Sequence, residues 1–597
     1  MARNRFDVDE TLETPFNLKH LMRAMTYIKK HRAKMGLAVL LSAIASVSGL
    51  FVPKIMQWVL DDAVPNKDTG LLLKLALLFI GLVTIAIIFT TIRSRMMAKV
   101  GQEIIYDIRR DLFAHLQKLP FSYYDSRPAG KVLIRVINYV NSVSDMLSNG
   151  IINSILEIMN LIFIVVFMYS TDASLATIIV AGLPVFITVI IVLKPRQRKA
   201  WQVQSNKSSN LNAYLAESID GVRVSQLFVR QDVNKSIMEK LIEAFRLAWM
   251  HAIRIANLVW VSSEMITQIV FTIMFLVGVY GVGGTMVSFG VIMAMGQYVG
   301  RFWQPITNLA NIYNSFVNNI AYLERIFETM DEPTLIDDAP DALAVSAIDG
   351  AVDFNQVTFG YEPGIRVLEN MDLHVKAGER IALVGPTGAG KSTVVNLLCR
   401  FYDVNEGTIT LTDMAGEKHD IRDMTLNSLR RKLGIMLQDS FIFSGTIMDN
   451  IRYGRLDATD EEVMAAAKAV RAHDFIKDLS GGYETIVSER GGGLSQGQRQ
   501  LLAFARTLLS DPSILILDEA TSSIDTKTER LLQEGIEALL KNRTSFIIAH
   551  RLSTIKSADR ILYIANKGIM EQGSHAALMK EKGLYYQLYT AQMEEME

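Results

Sequence analysis

The chain has 597 residues, 50% of them hydrophobic and 21% charged, with a single cysteine, Cys399. At roughly 100–200 residues per domain, this length predicts several domains. Lys and Arg number 61 against 62 Asp and Glu, so no basic excess points to nucleic acid, and one cysteine excludes an intrachain disulfide framework and a cysteine-based zinc cluster.

Residues 1–18 carry acidic side chains and no apolar core, so no cleavable signal is read there and the first apolar segment would serve for insertion. Segment 17–34, rich in Lys and Arg, predicts an interfacial helix. A membrane-crossing helix needs about 20 mostly apolar residues. Charge-free or nearly charge-free runs predict six of them, at about 35–59, 70–93, 146–170, 173–194, 255–280 and 286–308. The long connections 94–145 and 195–254 are rich in Lys and Arg, whereas the short ones carry only Lys67 as a basic residue. The positive-inside rule then places both termini and both long connections in the cytoplasm. Those connections read as helical extensions turned around by crosswise segments near Phe121–Asp125 and Leu211–Glu217.

Residues 331–350 are acidic, contain two prolines and read as a linker. Beyond them strand-like and helical runs alternate, which predicts an α/β domain. The expected fold is therefore an all-α polytopic membrane domain (1–330) of six transmembrane helices with long cytoplasmic extensions, a linker (331–350) and an α/β P-loop nucleotide-binding domain (351–597).

Gly385, Pro386, Thr387, Gly388, Ala389, Gly390, Lys391 and Ser392 match the Walker A pattern, between the strand-like run 380–384 and a helical run opened by Thr393. The glycines let backbone N–H groups close around phosphates, and the helix N-terminus adds positive potential. Lys391 would reach the β- and γ-phosphates of ATP and Ser392 would hold magnesium. A second apolar run, 513–517, ends in Asp518 and Glu519. Asp518 would bind the magnesium and Glu519 would polarise the attacking water as general base.

Between these motifs lie Leu494, Ser495, Gln496, Gly497 and Gln498, followed by Arg499 to Arg506. Taken together, the chain resembles an ATP-binding cassette (ABC) transporter almost end to end. The resemblance implies further roles. Tyr361 stands where the family stacks an aromatic on adenine. Gln438 matches the glutamine that senses magnesium and the attacking water. Residues 488–491 resemble the X-loop of exporters, 522–525 resemble the D-loop that ends in Asp525, and His550 matches the switch histidine that contacts the γ-phosphate. In that family two cassettes close head to tail, so Ser495, Gly497 and Gln498 would touch nucleotide held by a partner chain. One cassette and six spans make this chain similar to a half-transporter that must dimerise.

Gln496 stands where the family usually has glycine. Such altered signatures often face a partner with a defective Walker B, which favours a heterodimer over a homodimer. Among membrane residues, Glu157, Glu264 and Arg301 are ionisable and deserve a functional reading. Glu264 and Arg301 fall at similar depth and are expected to pair or to face a water-filled cavity. Glu157 or Glu264 would bias transport toward cationic or zwitterionic cargo. The resemblance implies an ATPase that exports a hydrophobic or amphipathic drug-, lipid- or peptide-like substrate across a plasma membrane, with ATP and magnesium as cofactors. The alternatives are a lipid or lipid-precursor flippase and an ATP-gated channel. The layout points to a bacterial source, and no nucleic-acid partner is expected.

Overall fold

A computed structural model describes residues 18–127, 129–281, 287–362, 364–436, 440–488, 491–518, 526–549 and 555–594. The chain divides into two compact units. One holds the residues up to Gln117 together with Ala129–Glu332; the other holds the short stretch from Lys118 and everything from Pro333 onward.

Among its described residues the first unit is built from helices. Helix α1 (Leu18–Lys29) precedes α2 (Arg32–Ala63) and α3 (Thr69–Leu116). The short helix α4 (Phe121–Asp125) falls in the other unit. Then come α5 (Val132–Thr171), α6 (Ala173–Asp220), α7 (Val222–Leu227), α8 (Gln231–Tyr280) and α9 (Phe289–Met330). Helix α3 has 48 residues, which at about 1.5 Å each is about 72 Å, more than twice the hydrocarbon thickness of about 30 Å. Side-chain caps start several of these helices: Asp68 accepts from the Leu71 N–H at 2.8 Å, and Asp172 accepts from the Leu175 N–H at 2.9 Å. Asp172 is thus a one-residue reversal between α5 and α6.

Among the described residues five helices, α2, α3, α5, α6 and α8, are long and apolar enough to cross a membrane. The sixth, α9, has 42 residues but falls short in apolarity, because Gln297, Arg301, Gln304, Asn308 and Asn311 recur along it. Its other side is a core element: Tyr298 and Phe302 are buried with Leu50, Met168, Phe186 and Met274, and the Tyr298 hydroxyl donates to the Leu50 carbonyl at 2.8 Å. The second crosswise segment differs from expectation. Leu211–Glu217 is part of the long helix α6, since its residues are good helix formers. The break comes at Gly221, and α7 is the short segment that follows. Helix α1 is tied to the end of α9, with Arg23 bonded to Asp331 at 2.6 Å and its guanidinium 4.4 Å from the Phe327 ring centroid.

In the second unit, strands β1 (Ile348–Phe359), β2 (Leu368–Val375), β4 (Glu406–Asp413) and β5 (Lys418–Asp420) form an antiparallel sheet in the order β2-β1-β4-β5. Strands β3 (Arg380–Val384), β6 (Leu433–Met436), β7 (Ile514–Asp518), β8 (Thr544–Ile548), β9 (Arg560–Ala565) and β10 (Gly568–Gly573) form a second sheet in the order β10-β9-β3-β8-β7-β6. It is parallel except for the β9–β10 pair. Residues 514–517 and 544–548 are continuously buried, as expected for parallel strands covered on both faces. Strand β1 begins at Ile348, and buried Arg400 donates to the Asp337 carbonyl at 3.1 Å, so the acidic stretch before β1 is anchored to the cassette. Cys399 is buried, and desolvation pushes its thiol up to about 12, which leaves it a small core residue.

Gly290 opens α9 against α2. Its N–H donates to the Asp61 carboxylate at 2.8 Å, and a Cβ there would sit 2.5 Å from the Asp61 carboxyl carbon. Gly290→Ala is expected to destabilise the helical unit by about 1–3 kcal/mol through overpacking. A thermal midpoint several degrees below wild type in detergent checks this; an unchanged midpoint contradicts it.

Candidate functional site

The site is built at the end of β3, which lies between β8 and β9 in the parallel sheet. The chain leaves the strand at Gly385 with φ +140°, and a Cβ there would lie 2.2 Å from the Ile564 carbonyl oxygen. Only glycine fits that approach. Pro386, Thr387 and Gly388 form the exposed crown of the loop. Gly390, with φ +103°, ends the loop at helix α10 (Lys391–Leu398). The first N–H groups of such a helix have no intrahelical partners and attract anions.

Lys391 is buried and folds back over the loop, its Nζ donating to the carbonyls of Gly385 at 2.8 Å and Pro386 at 2.9 Å. Burial lowers its pKa, and the Asp518 carboxylate opposes that shift. Asp518 ends β7 and Ser392 is exposed at the first turn of α10. Lysine, loop and helix end can bind a chain of phosphates, while Asp518 and Ser392 offer the hard oxygen ligands that suit magnesium. The residues present therefore fit ATP with its metal.

Tyr361 is fixed beside this loop. Its hydroxyl shares a hydrogen bond with Thr393 Oγ1 at 3.1 Å and accepts from Asn396 Nδ2 at 3.4 Å. Its ring meets Phe359 and Tyr402 edge-on, each at 5.0 Å, yet the residue stays exposed. Tyr402 in turn donates to Asp125 at 2.5 Å, and Phe121 stacks on Phe401 at 5.2 Å. Helix α4 is thereby docked on the cassette within the same compact unit, three contacts from the P-loop helix. Asp125 and Tyr402 are 277 residues apart, so nothing local in the sequence signals this link.

The signature segment opens helix α11 (Gln496–Leu509). Ser495 Oγ accepts from the Gln498 N–H at 3.2 Å, and Gln498 Oε1 accepts from the Ser495 N–H at 2.8 Å. This reciprocal capping box occupies both side chains. Gln496 is exposed at the first helical position and has no positive φ, so the fold does not require glycine there. Gly497 is buried. Further along the helix, Arg506 donates to the carbonyls of Asn450 at 2.8 Å and Phe441 at 2.9 Å, and to Asn450 Oδ1 at 3.1 Å. Burial lowers its pKa. This arginine clamps the signature helix to residues 441–450; its only signal in sequence is a lone cation in an otherwise apolar run. Gln438, Glu519, Asp525 and His550 lie outside the described residues.

In the helical unit Glu264 and Arg301, expected to pair or to face a cavity, do not pair, and Arg301 lines a cleft. Glu264 accepts from Gln268 Nε2 one turn along its own helix, at 2.8 Å. Arg301 instead donates to the Gly49 carbonyl at 2.8 Å. Glu157 accepts from Asn308 Nδ2 at 2.7 Å.

Two family models match the chain: the ABC transporter transmembrane region over residues 35–306 and the ABC transporter domain over residues 368–522. The chain is 38% identical over 594 residues to the uncharacterized ABC transporter ATP-binding protein YknV of Bacillus subtilis (strain 168), covering 99% of this chain and 98% of that one. It is 35% identical over 500 residues to the fatty acid ABC transporter ATP-binding/permease protein of Mycobacterium tuberculosis (strain CDC 1551 / Oshkosh), covering 84% and 78%. Among solved structures, a bacterial Atm1-family ABC exporter with ATP bound superposes with a TM-score of 0.76 at 29% identity, over 94% of this chain and 98% of that one. The chain belongs to the ABC transporter family, with an exporter membrane region fused ahead of an ATP-binding domain.

Lys391→Met removes the cation and leaves the Gly385 and Pro386 carbonyls without their donor. A fluorescent ATP analogue is expected to bind at least about tenfold more weakly, given the strength of charge-assisted bonds to phosphate. Wild-type affinity in that titration would contradict the assignment.

Proposed function

We propose that this ABC transporter exports a hydrophobic or amphipathic cargo, driven by ATP, as a two-chain assembly with both termini in the cytoplasm. In each site the P-loop of one chain would face the signature helix of the other. The observation that carries the reading is the P-loop geometry: a glycine turn with no room for a side chain, a helix end, and a buried lysine held by two carbonyls of its own loop. ATP would draw Lys391 from those carbonyls to its β- and γ-phosphates, and Tyr361 would stack on the adenine. Ser392, Asp518 and Gln438 would hold magnesium, which neutralises phosphate charge when bound. Glu519 would take the proton of the attacking water, with His550 beside the γ-phosphate. The signature of the second chain would complete the site through Ser495 and Gly497, with Gln498 bracing that helix start and Asp525 facing it.

Closure of two cassettes would drive the membrane helices from one access state to the other. Helix α4, bonded to Tyr402, supports a mechanical route for that motion. A fatty acid transporter among the relatives supports an apolar or amphipathic cargo. Gln496 projects from the helix start that would face the nucleotide of the partner, which favours a heterodimer whose second member carries an unaltered signature. A homodimer is the second reading, favoured by the intact capping box.

ATP hydrolysis by this chain expressed alone in nanodiscs, with particle mass measured alongside, tests the reading. A heterodimer predicts a chain that binds ATP but turns it over negligibly. Homodimer function predicts robust turnover that Glu519→Gln abolishes by at least about 100-fold, with Gln496→Gly changing it by less than about threefold. Turnover that survives Glu519→Gln would contradict both.

A further inference from the structure

The helical unit contains a cleft of about 440 Å³ between α2, α5 and α9 whose lining includes Ser46, Gly49, Glu157, Asn160, Arg301 and Gln304. Depth follows from helical rise. Counted from Ala63, Thr171 and Phe289, where the short connections lie, these residues sit roughly 17–26 Å along their helices at about 1.5 Å per residue. A hydrocarbon layer of about 30 Å therefore contains the whole cleft. Ionised side chains at such depth are costly unless they face a polar interior or a ligand.

The two charges of the cleft are not spent on each other. Arg301 is exposed and uses one N–H, on the Gly49 carbonyl. A guanidinium has five such donors. Glu157 receives one bond, from Asn308 to Oε1, and Asn308 Oδ1 is itself occupied by Gln304 Nε2 at 2.9 Å. Among the described residues neither charge forms an ion pair. A cation and an anion that share one cleft without meeting leave room for a group carrying both signs. The same cleft is lined by the apolar Leu50, Ile164 and Pro305, and on the same helices Ile44, Ile158 and Ile162 present exposed apolar side chains.

We infer that this cleft is a headgroup site for a zwitterionic amphiphile: Arg301 receives its anionic oxygens, Glu157 its ammonium group, and the neighbouring apolar helix surface its hydrocarbon tail. The inference deepens the transport reading by naming the cargo class. Binding needs no turnover, so it is tested in the absence of nucleotide and can fail or succeed whatever the ATPase result.

The experiment measures dissociation constants for the full-length transporter in nanodiscs, by displacement of a fluorescent lysophosphatidylethanolamine. The competitors are lysophosphatidylethanolamine, lysophosphatidic acid and an alkylamine of equal chain length, with phosphoethanolamine as the tail-free control. Ratios of variant to wild type cancel membrane partitioning of each probe. Arg301→Gln is expected to weaken the zwitterion and the anion by about tenfold or more and to leave the amine within twofold. Glu157→Gln, which keeps an acceptor for Asn308, is expected to weaken the zwitterion and the amine and to spare the anion. Phosphoethanolamine is expected to bind at least about tenfold more weakly than its acylated form. Three results would overturn the inference: ratios that stay within twofold for every probe, ratios that shift equally for all three and so mark a structural role, or tail-free headgroup binding as tight as the lipid.

Discussion

The nucleotide site depends on one buried cation. Lys391 is largely buried, so its charge is best satisfied by nearby oxygen, and the carbonyls of Gly385 and Pro386 supply it. That requirement fixes the loop closely over the lysine, which in turn requires glycine at Gly385, where a side chain would strike the Ile564 carbonyl of the neighbouring strand. The shape of the loop is thus set by contacts within the chain. The same loop connects outward: Thr393 on the following helix bonds Tyr361, Tyr361 packs on Tyr402, and Tyr402 holds Asp125 of helix α4.

How much was legible in the sequence follows the range of the interaction concerned. The P-loop was readable because glycine spacing, the strand before it and the helix after it lie within about a dozen residues. The apolar helices were readable because a run without charge is a local property. Three features escaped. The Asp125–Tyr402 contact joins residues far apart in sequence, and neither residue alone is unusual. The break expected at Leu211–Glu217 falls instead at Gly221, because helix-forming residues continue the helix until glycine releases it. Ser495 and Gln498, read as nucleotide ligands, also form a capping box, and the Ser-x-x-Gln spacing carries both meanings at once.

The polar stripe of α9 joins these arguments. A helix buried among others in a membrane can carry Arg301, Gln304 and Asn308 only if they face each other, the backbone or a cavity. The structure uses all three outlets: Arg301 bonds the Gly49 carbonyl, Gln304 bonds Asn308, and Arg301, Gln304 and Asn308 all line a cleft, where Asn308 bonds Glu157. This is why charge-free stretches located α9 only in part. Its apolar side packs the core through Tyr298 and Phe302, and its polar side lines a cleft.

The central claim is that the P-loop of this chain is completed by the signature of a second chain. It is tested most directly by cross-linking from the loop crown, with Thr387→Cys introduced into a chain made otherwise cysteine-free by Cys399→Ser. A short thiol-reactive photocross-linker is attached there, activated in native membranes with and without ATP, and the adduct is sized and mapped. The account predicts an ATP-dependent adduct of two half-transporter chains, cross-linked at a signature segment. An adduct of single-chain mass mapped to Ser495–Gln498, or one formed equally without nucleotide, would contradict it.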